Sequence, residues 1–290
     1  MKILLTGADG FTGKYFSALA RAAGHDVIPL RADLTDAAAL SAEIRSVQPQ
    51  AVAHLAGIAF VAHAHEEAFY QVNVVGTTNL LAALVLLETA PECVLLASSA
   101  NVYGNCDHSP IAETQAPAPV NHYAMSKLAV EYMARTYMDR LKIVIARPFN
   151  YTGPGQSEIF VIPKLAKHFA MRRPSITLGN LHVEREFNDV RMVCDIYAHL
   201  LEIGEPGETY NICSGEPYQL QSVIALLSKM TGHDLQIFVN QEFVRTTEVR
   251  RLCGDPTKIQ SLFARHGAKF RMPSLEETLE SMLASANAGK

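Results

Sequence analysis

Short runs of apolar residues alternate with segments of helical periodicity through the first half of this chain. Strands are expected at residues 2–6, 26–30, 51–56, 92–98 and 142–147, and helices between them at 14–23, 36–47, 72–88 and 123–140. Several of the strands are apolar throughout, as strands buried on both faces of a helix-covered parallel sheet must be. The rhythm loosens after residue 150, where Gly153-Pro154-Gly155 and Gly204-Glu205-Pro206-Gly207 punctuate shorter elements. Helices are predicted there at 160–171, 193–203, 220–231 and 274–285, and strand-like pieces at 176–178 and 235–239. The expected fold is α/β, a Rossmann-like doubly wound parallel sheet with a smaller C-terminal substrate-binding lobe. The sheet domain is expected at 1–150, with segments near 186–213 returning to it, and the smaller lobe at 151–290. Open α/β sheets bind ligands at the carboxyl ends of their strands, so the cleft between the lobes is where substrate belongs.

With 290 residues, 49% of them hydrophobic, the chain has ample apolar material for a core. The formal charge is −4, and Lys and Arg are scattered rather than run together, so neither nucleic acid nor an anionic membrane is an expected partner. The longest apolar stretch, near 80–87, is far shorter than the ~20 residues of a membrane span. The N-terminus enters a strand at once, without the basic-then-apolar layout of a secretory leader. Cys93, Cys106, Cys194, Cys213 and Cys253 are odd in number and form no C-x-x-C pair, so neither a zinc knuckle nor a disulfide framework is indicated and a cytoplasmic setting is expected.

The candidate chemistry begins where the first strand meets Gly7-x-x-Gly10-x-x-Gly13 and the opening of a helix. Glycines there permit close backbone approach, and the free amides of a helix start attract a pyrophosphate. The same pattern alone is also that of an ordinary glycine-rich turn. A second constellation decides between them. Tyr123 and Lys127 stand four apart, with Met125, Leu128 and Tyr132 giving the segment helical spacing, so the phenol and the ammonium share one helix face. A phenol of pKa about 10 needs a nearby cation to exchange protons near neutrality. Ser99, closing the fourth strand, is placed to polarise a substrate carbonyl beside the same crevice.

Six segments resemble the extended short-chain dehydrogenase/reductases that modify nucleotide sugars. They are Thr6-Gly-Ala-Asp-Gly-Phe-Thr-Gly13, His54-Leu-Ala-Gly57, Asn73-Val-Val-Gly76, Ser98-Ser-Ala-Asn-Val-Tyr-Gly104, Tyr123-Ala-Met-Ser-Lys127 and Arg147-Pro-Phe-Asn150. The resemblance spans nearly the whole chain. It implies that Tyr123 passes a proton to or from the sugar oxygen, that Ser99 hydrogen-bonds that oxygen, and that Lys127 holds the nicotinamide ribose and tunes the tyrosine. It further implies a cofactor lying against Gly7, Gly10, Phe11, Thr12, Gly13, Leu55, Ala56, Gly57, Asn73 and Pro148. The second half is most similar to GDP-4-keto-6-deoxy-mannose reductases, through segments 153–157, 178–181, 185–191, 210–215 and 245–248. By that likeness Asn101, Asn150, Lys164, Asn180, Arg185, Arg245 and Glu248 contact a GDP-linked substrate. Asn150 and Lys164 would meet its diphosphate, Asn180 its base, and Arg185, Arg245 and Glu248 its phosphate and ribose. The family often has Ser-Pro before the tyrosine, whereas this chain has Asn121-His122.

Dehydration in this family resembles chemistry done by carboxylates just after the serine or threonine, and Ala100 and Asn101 stand there instead. A reductase and a 4-epimerase with tightly bound NAD need only the hydride carrier and Tyr123, and the residues leave both open; the resemblance points to reduction. At the end of the second strand Arg31 suits the 2′-phosphate of NADPH, while Asp33 with Leu34 resembles an adenine-recognising pair and is also placed for the ribose of NADH. NADPH is therefore expected, with NADH possible. A non-catalytic NADP-binding regulator is the reading of another class, and Ser99, Tyr123 and Lys127 argue against it. His63 and His65, two apart, are expected to line a loop over the cofactor, and no metal site is expected. The resemblance also implies a homodimer joined through the helices at 72–88 and 123–140.

Overall fold

A computed structural model of the chain describes residues 1–59, 65–240 and 249–288. The first half runs β1 (Lys2–Thr6), α1 (Phe11–Ala22), β2 (Asp26–Pro29), α2 (Ala37–Val47) and β3 (Ala51–His54). A π-helical segment, Phe69–Val75, then leads directly into α3 (Gly76–Val85). It continues through β4 (Cys93–Ala97), a short 3-10 turn over Ala100–Tyr103, α4 (His122–Arg135) and β5 (Ile143–Pro148). The second half contains β6 (Tyr151–Thr152), α5 (Val161–Ala170), β7 (Ser175–Leu178), β8 (Glu184–Arg185), β9 (Asn188–Asp189) and α6 (Val190–Ile203). After these come β10 (Thr209–Ile212), β11 (Tyr218–Gln219), α7 (Leu220–Thr231), β12 (Gln236–Val239), β13 (Arg251–Leu252), α8 (Thr257–Arg265) and α9 (Leu275–Ala288).

Six strands form one parallel sheet in the order β10-β5-β4-β3-β1-β2. The strand order reverses beside β1, so the crevice opens between the carboxyl ends of β1 and β3. Residues alternate across the sheet as strand geometry requires. Ile3, Leu5 and Leu95 face α1, α6 and α8, while Leu4, Val94 and Leu96 face α2, α3 and α4. A separate apolar cluster joins α5, α7 and α9 to β7 and β12. β2 is an edge strand, and the chain passes from it to α2 through residues 30–36.

Several expected boundaries shift for identifiable reasons. The helix expected at 72–88 starts at Phe69 as a π-helical turn and ends at Val85. The helix expected at 123–140 starts at His122 and ends at Arg135, with the Asn121 side chain accepting the Ala124 N–H as its cap. The helix expected at 193–203 starts at Val190, because Asp189 accepts the Arg191 N–H. The sixth strand, β10, and the helix α8 lie outside the strands and helices expected from periodicity. All five cysteines are free thiols. Among the described residues, no helix is long and apolar enough to cross a membrane.

Candidate functional site

The glycine turn is built by steric need. Gly7 has φ +71°, and a Cβ on it would stand 2.8 Å from the Ala56 backbone. A Cβ on Gly13, inside the first turn of α1, would stand 2.0 Å from the Gly7 carbonyl oxygen. Gly10 caps α1 without any side-chain bond, which leaves the first N–H groups of the helix to an anion. Phe11 stacks on Tyr151, with ring centroids 6.3 Å apart, and the Thr12 and Tyr151 hydroxyls lie 2.8 Å apart. The turn is thus tied to the strand end beyond β5, and its backbone cradle fits a dinucleotide pyrophosphate. Gly13→Ala is expected to destabilise the fold by about 1–3 kcal/mol and to abolish dinucleotide binding; thermal melting with and without NADPH checks both.

The loop after β2 is fixed by Glu43, whose carboxylate accepts the N–H groups of Arg31 and Ala32 at 2.9 and 2.6 Å. The Arg31 guanidinium, largely exposed, reaches 3.5 Å to Asp9 of the glycine turn. Asp33 accepts from the N–H and hydroxyl of Thr35 at 2.8 and 2.7 Å, bonds that hold its carboxyl below the usual range. Leu34 is buried against Gly76, and its carbonyl accepts from Asn79. Arg31 therefore stands beside the pyrophosphate turn, while Asp33 is engaged in its own turn.

A cavity of about 420 Å³ opens at the carboxyl ends of β4 and β5, roofed by residues from 156–161 and 178–187. It brings together Leu55, Gly57, Ser99, Asn101, Tyr123, Lys127, Pro148, Asn150, Asn180 and Arg185 from the expected set. Tyr123 is 7% exposed and Lys127 8%. Burial raises the Tyr123 phenol pKa above its ordinary value, and a hydrogen bond with Ser99 offsets part of that rise. Burial also pulls the Lys127 ammonium down to about 8, against the opposing pull of Glu131. Its Nζ donates to the Ala97 carbonyl at 2.8 Å. A Cβ on Gly57 would stand 3.2 Å from that Nζ, so the glycine leaves room for the lysine. In the free protein the phenol is thus a protonated acid rather than a phenolate.

Three sets of polar contacts support these groups, and sequence reasoning anticipated none of them. Asn73 accepts the Ile58 N–H at 2.9 Å and donates to Ser126 at 3.0 Å, which joins the loop after β3 to α4; it does not line the cavity. His54 sits between the hydroxyls of Thr6 and Thr77, at 2.7 and 2.8 Å, and burial drives its pKa down to about 3, so it stays neutral. Behind Ser99, the Arg147 guanidinium bonds Glu131 through Nε at 2.9 Å and a terminal nitrogen at 2.6 Å. Ser98 donates to the same carboxylate at 2.5 Å, and Tyr103 links Arg147 to Asn211. This fully buried pair anchors the end of β4 to α4, the two elements that carry Ser99 and Tyr123.

On the substrate side Asn150 lies exposed at the mouth, and Asn101 donates its amide to Ser99 at 3.1 Å. The Asn180 side chain accepts the His182 N–H at 2.9 Å. The Arg185 guanidinium donates to carbonyls of Glu184, Val249 and Arg250. Lys164, on α5, stands outside the lining and donates to the Thr177 carbonyl at 3.4 Å. Arg245, Glu248 and His63 lie outside the described residues. His65 is exposed next to that gap, and His122 bonds Tyr70 at 2.9 Å and Glu66 at 3.0 Å, which holds the segment after the gap against the start of α4. Gln156, Tyr151, Phe187 and Tyr197 also line the wall and were not anticipated as site residues. Among the described residues lining the cavity, the charged side chains are Lys127 and Arg185, both cations, and none is Asp or Glu.

Comparison with known proteins adds context to this geometry. The family model described as GDP-mannose 4,6 dehydratase matches residues 29–264. The chain is 35% identical over 287 residues to a GDP-6-deoxy-D-talose 4-dehydrogenase of Aggregatibacter actinomycetemcomitans, covering 97% of each protein. It is 34% identical to a GDP-6-deoxy-D-mannose reductase of Pseudomonas aeruginosa, covering 89% of each. The structure of RMD from Pseudomonas aeruginosa complexed with NADPH superposes with a TM-score of 0.89 at 32% identity, covering 100% of this chain and 99% of that one. A Burkholderia cenocepacia structure described as a candidate epimerase superposes at 0.91 with 44% identity, over 99% and 98% of the two chains.

Proposed function

Because this chain belongs to the GDP-mannose 4,6-dehydratase family, within the extended short-chain dehydrogenase/reductases, we propose that it reduces the 4-keto group of a GDP-4-keto-6-deoxyhexose to give a GDP-6-deoxyhexose. The chain is an NAD(P)-dependent oxidoreductase by that membership. One observation carries the choice among the family's reactions: Ser99, Tyr123 and Lys127 share a cavity whose described lining holds no carboxylate. Dehydration needs a group to remove the proton beside the ketone and another to protonate the departing hydroxyl. Ala100 is fully buried and Asn101 is turned to Ser99, so neither serves.

Reduction asks less of the protein. A bound reduced nicotinamide supplies hydride to the carbonyl carbon. Ser99 donates a hydrogen bond to the carbonyl oxygen, and Tyr123 gives that oxygen its proton as negative charge develops there. The raised phenol pKa keeps Tyr123 protonated until that moment, which suits an acid better than a base. Lys127, as a cation, holds ribose hydroxyls and favours the phenolate left behind. Arg185 and Asn180, which line the cavity, would receive the nucleotide end of the substrate, and Asn150 the diphosphate at the mouth. The cationic lining suits an anionic sugar nucleotide although the whole chain carries −4.

NADPH is the proposed reductant, since Arg31 stands just past β2 and beside the glycine turn, where the 2′-phosphate of the adenosine ribose would lie. Arg31→Ala is expected to raise KM for NADPH roughly tenfold, in keeping with the loss of one charge-assisted bond, and KM for NADH hardly at all. Equal effects on both cofactors would contradict the assignment. The division of labour follows residues 1–150 and 186–213 for the cofactor and the remainder for substrate. A cytoplasmic homodimer is also proposed. Val75, Leu86, Met125 and Tyr132 are large apolar side chains exposed on or beside α3 and α4, the helices that a four-helix interface would bury. Sedimentation at twice the monomer mass would support it, and a monomer at micromolar concentration would contradict it.

Freshly prepared GDP-4-keto-6-deoxymannose and NADPH test the function. Consumption of one NADPH per sugar reduced is the expected result. Interconversion of two sugar nucleotides with no net NADPH consumption would instead establish the 4-epimerase, and dinucleotide binding without turnover of any sugar nucleotide would establish the regulator.

A further inference from the structure

Among the described residues, the buried side-chain polar atom without a hydrogen-bond partner is the Tyr197 hydroxyl. Tyr197 is 1% exposed, stands two turns into α6, and lines the cavity that contains Tyr123 and Lys127. Side chains on a helix lean toward its N-terminus. The N-terminus of α6 follows β9, which pairs with β6 at the cavity wall, so the phenol leans toward the site. Tyr151, Cys194 and Tyr123 are titratable groups close enough to act on it electrostatically. Tyr151 has its partner in Thr12, and Cys194 donates to the Thr12 carbonyl at 3.6 Å. An unpaired buried hydroxyl costs the free protein about 1–3 kcal/mol, a cost that Phe would avoid while filling the same apolar space. Tyrosine at this position makes physical sense when a ligand completes the bond.

The ligand's side of the cavity follows from the packing. Tyr197 belongs to the apolar layer shared by α1, α6 and α8, the layer of the helix that the glycine turn opens. Ser99 and Asn101, on the substrate side, already bond each other. We propose that Tyr197 is a cofactor-positioning residue whose hydroxyl hydrogen-bonds the carboxamide of the bound nicotinamide and thereby fixes the orientation of the ring. A carboxamide offers one acceptor and two donors, so a phenol can complement it in either direction. This rests on the oxidoreductase reading but not on the identity of the sugar.

Calorimetric binding of NADPH and of 2′-phospho-ADP-ribose, which lacks the nicotinamide, to the parent protein and to Tyr197→Phe tests it, together with the melting temperatures of the ligand-free proteins. The expected result is NADPH binding weakened about 5- to 10-fold, unchanged binding of 2′-phospho-ADP-ribose, and a ligand-free variant that melts at or above the parent. Unchanged NADPH affinity would overturn the proposal, as would equal weakening of both nucleotides. A ligand-free variant that melts below the parent would overturn it too, since the hydroxyl would then have a partner inside the protein. A parent that binds NADPH yet reduces no GDP-4-keto sugar would refute the proposed function and leave this test intact.

Discussion

Tyr123→Phe is expected to lower turnover of the keto sugar by about 10³-fold while leaving NADPH affinity within a factor of two of the parent. The substitution removes one oxygen from a side chain that is otherwise held by packing. The ring lies 5.9 Å from Phe69, and its backbone carbonyl accepts from Ser126 at 2.8 Å. Neither contact involves the phenol oxygen. The loss therefore falls on the proton delivered to the developing alkoxide, with Ser99 still in place to polarise the carbonyl. Stability should change little, because the hydroxyl's hydrogen bond is with Ser99, which keeps Asn101 as a partner. Steady-state rates and NADPH titration of the variant check the split. Turnover within tenfold of the parent would mean that another group supplies the proton.

Lys127→Met should show opposite signs for activity and stability. Turnover is expected to fall by about 10²-fold or more, as for the loss of a positioned catalytic group. Stability at pH 7 is nevertheless expected to rise by about 2 kcal/mol, the burial cost of the ammonium less the lost bond to the Ala97 carbonyl. The sign follows from the depressed pKa. In the folded chain Lys127 titrates at about 8, against 10.5 for an ordinary lysine. Below pH 8 it is charged in both states, and only the folded state bears the cost of burying that charge. Between the two values the unfolded chain holds the proton that the folded chain has released, so the parent gains stability as pH rises and the variant's advantage fades. Denaturant titrations at pH 7 and near pH 10 should show that convergence, and a variant less stable than the parent at pH 7 would contradict it. The same titration predicts that reduction by the parent declines as pH rises through about 8, where Lys127 loses the charge that supports the phenolate.

The sequence carried most of the framework and the candidate reacting groups, because both are encoded locally. The five buried strands of the first half are apolar runs bounded by turn residues, and the four-residue spacing of Tyr123 and Lys127 survives as one face of α4. The features that escaped depend on partners far apart in the chain. Nothing in the spacing of Glu131 and Arg147 shows that the fold closes them into a buried pair beneath Ser98. The strand β10 has only four residues, including Asn211, a polar side chain whose burial is made tolerable by Tyr103 and the Ile111 carbonyl. Tyr197 lies in the helix expected at 193–203, and nothing in its spacing sets its hydroxyl apart. Asn73, expected at the cofactor, uses its amide to bind the loop after β3 to α4, a role that its spacing does not show.

The central claim is that the site delivers hydride from a nicotinamide to the sugar carbonyl while Tyr123 delivers the proton. Its most direct test is to supply NADPH carrying deuterium at the transferring position of the nicotinamide, together with GDP-4-keto-6-deoxymannose, and to read the product by NMR. The account predicts deuterium at C4 of a GDP-6-deoxyhexose, in proportion to NADPH oxidised. A product without deuterium at C4, or NADPH left unoxidised while the sugar changes, would contradict it.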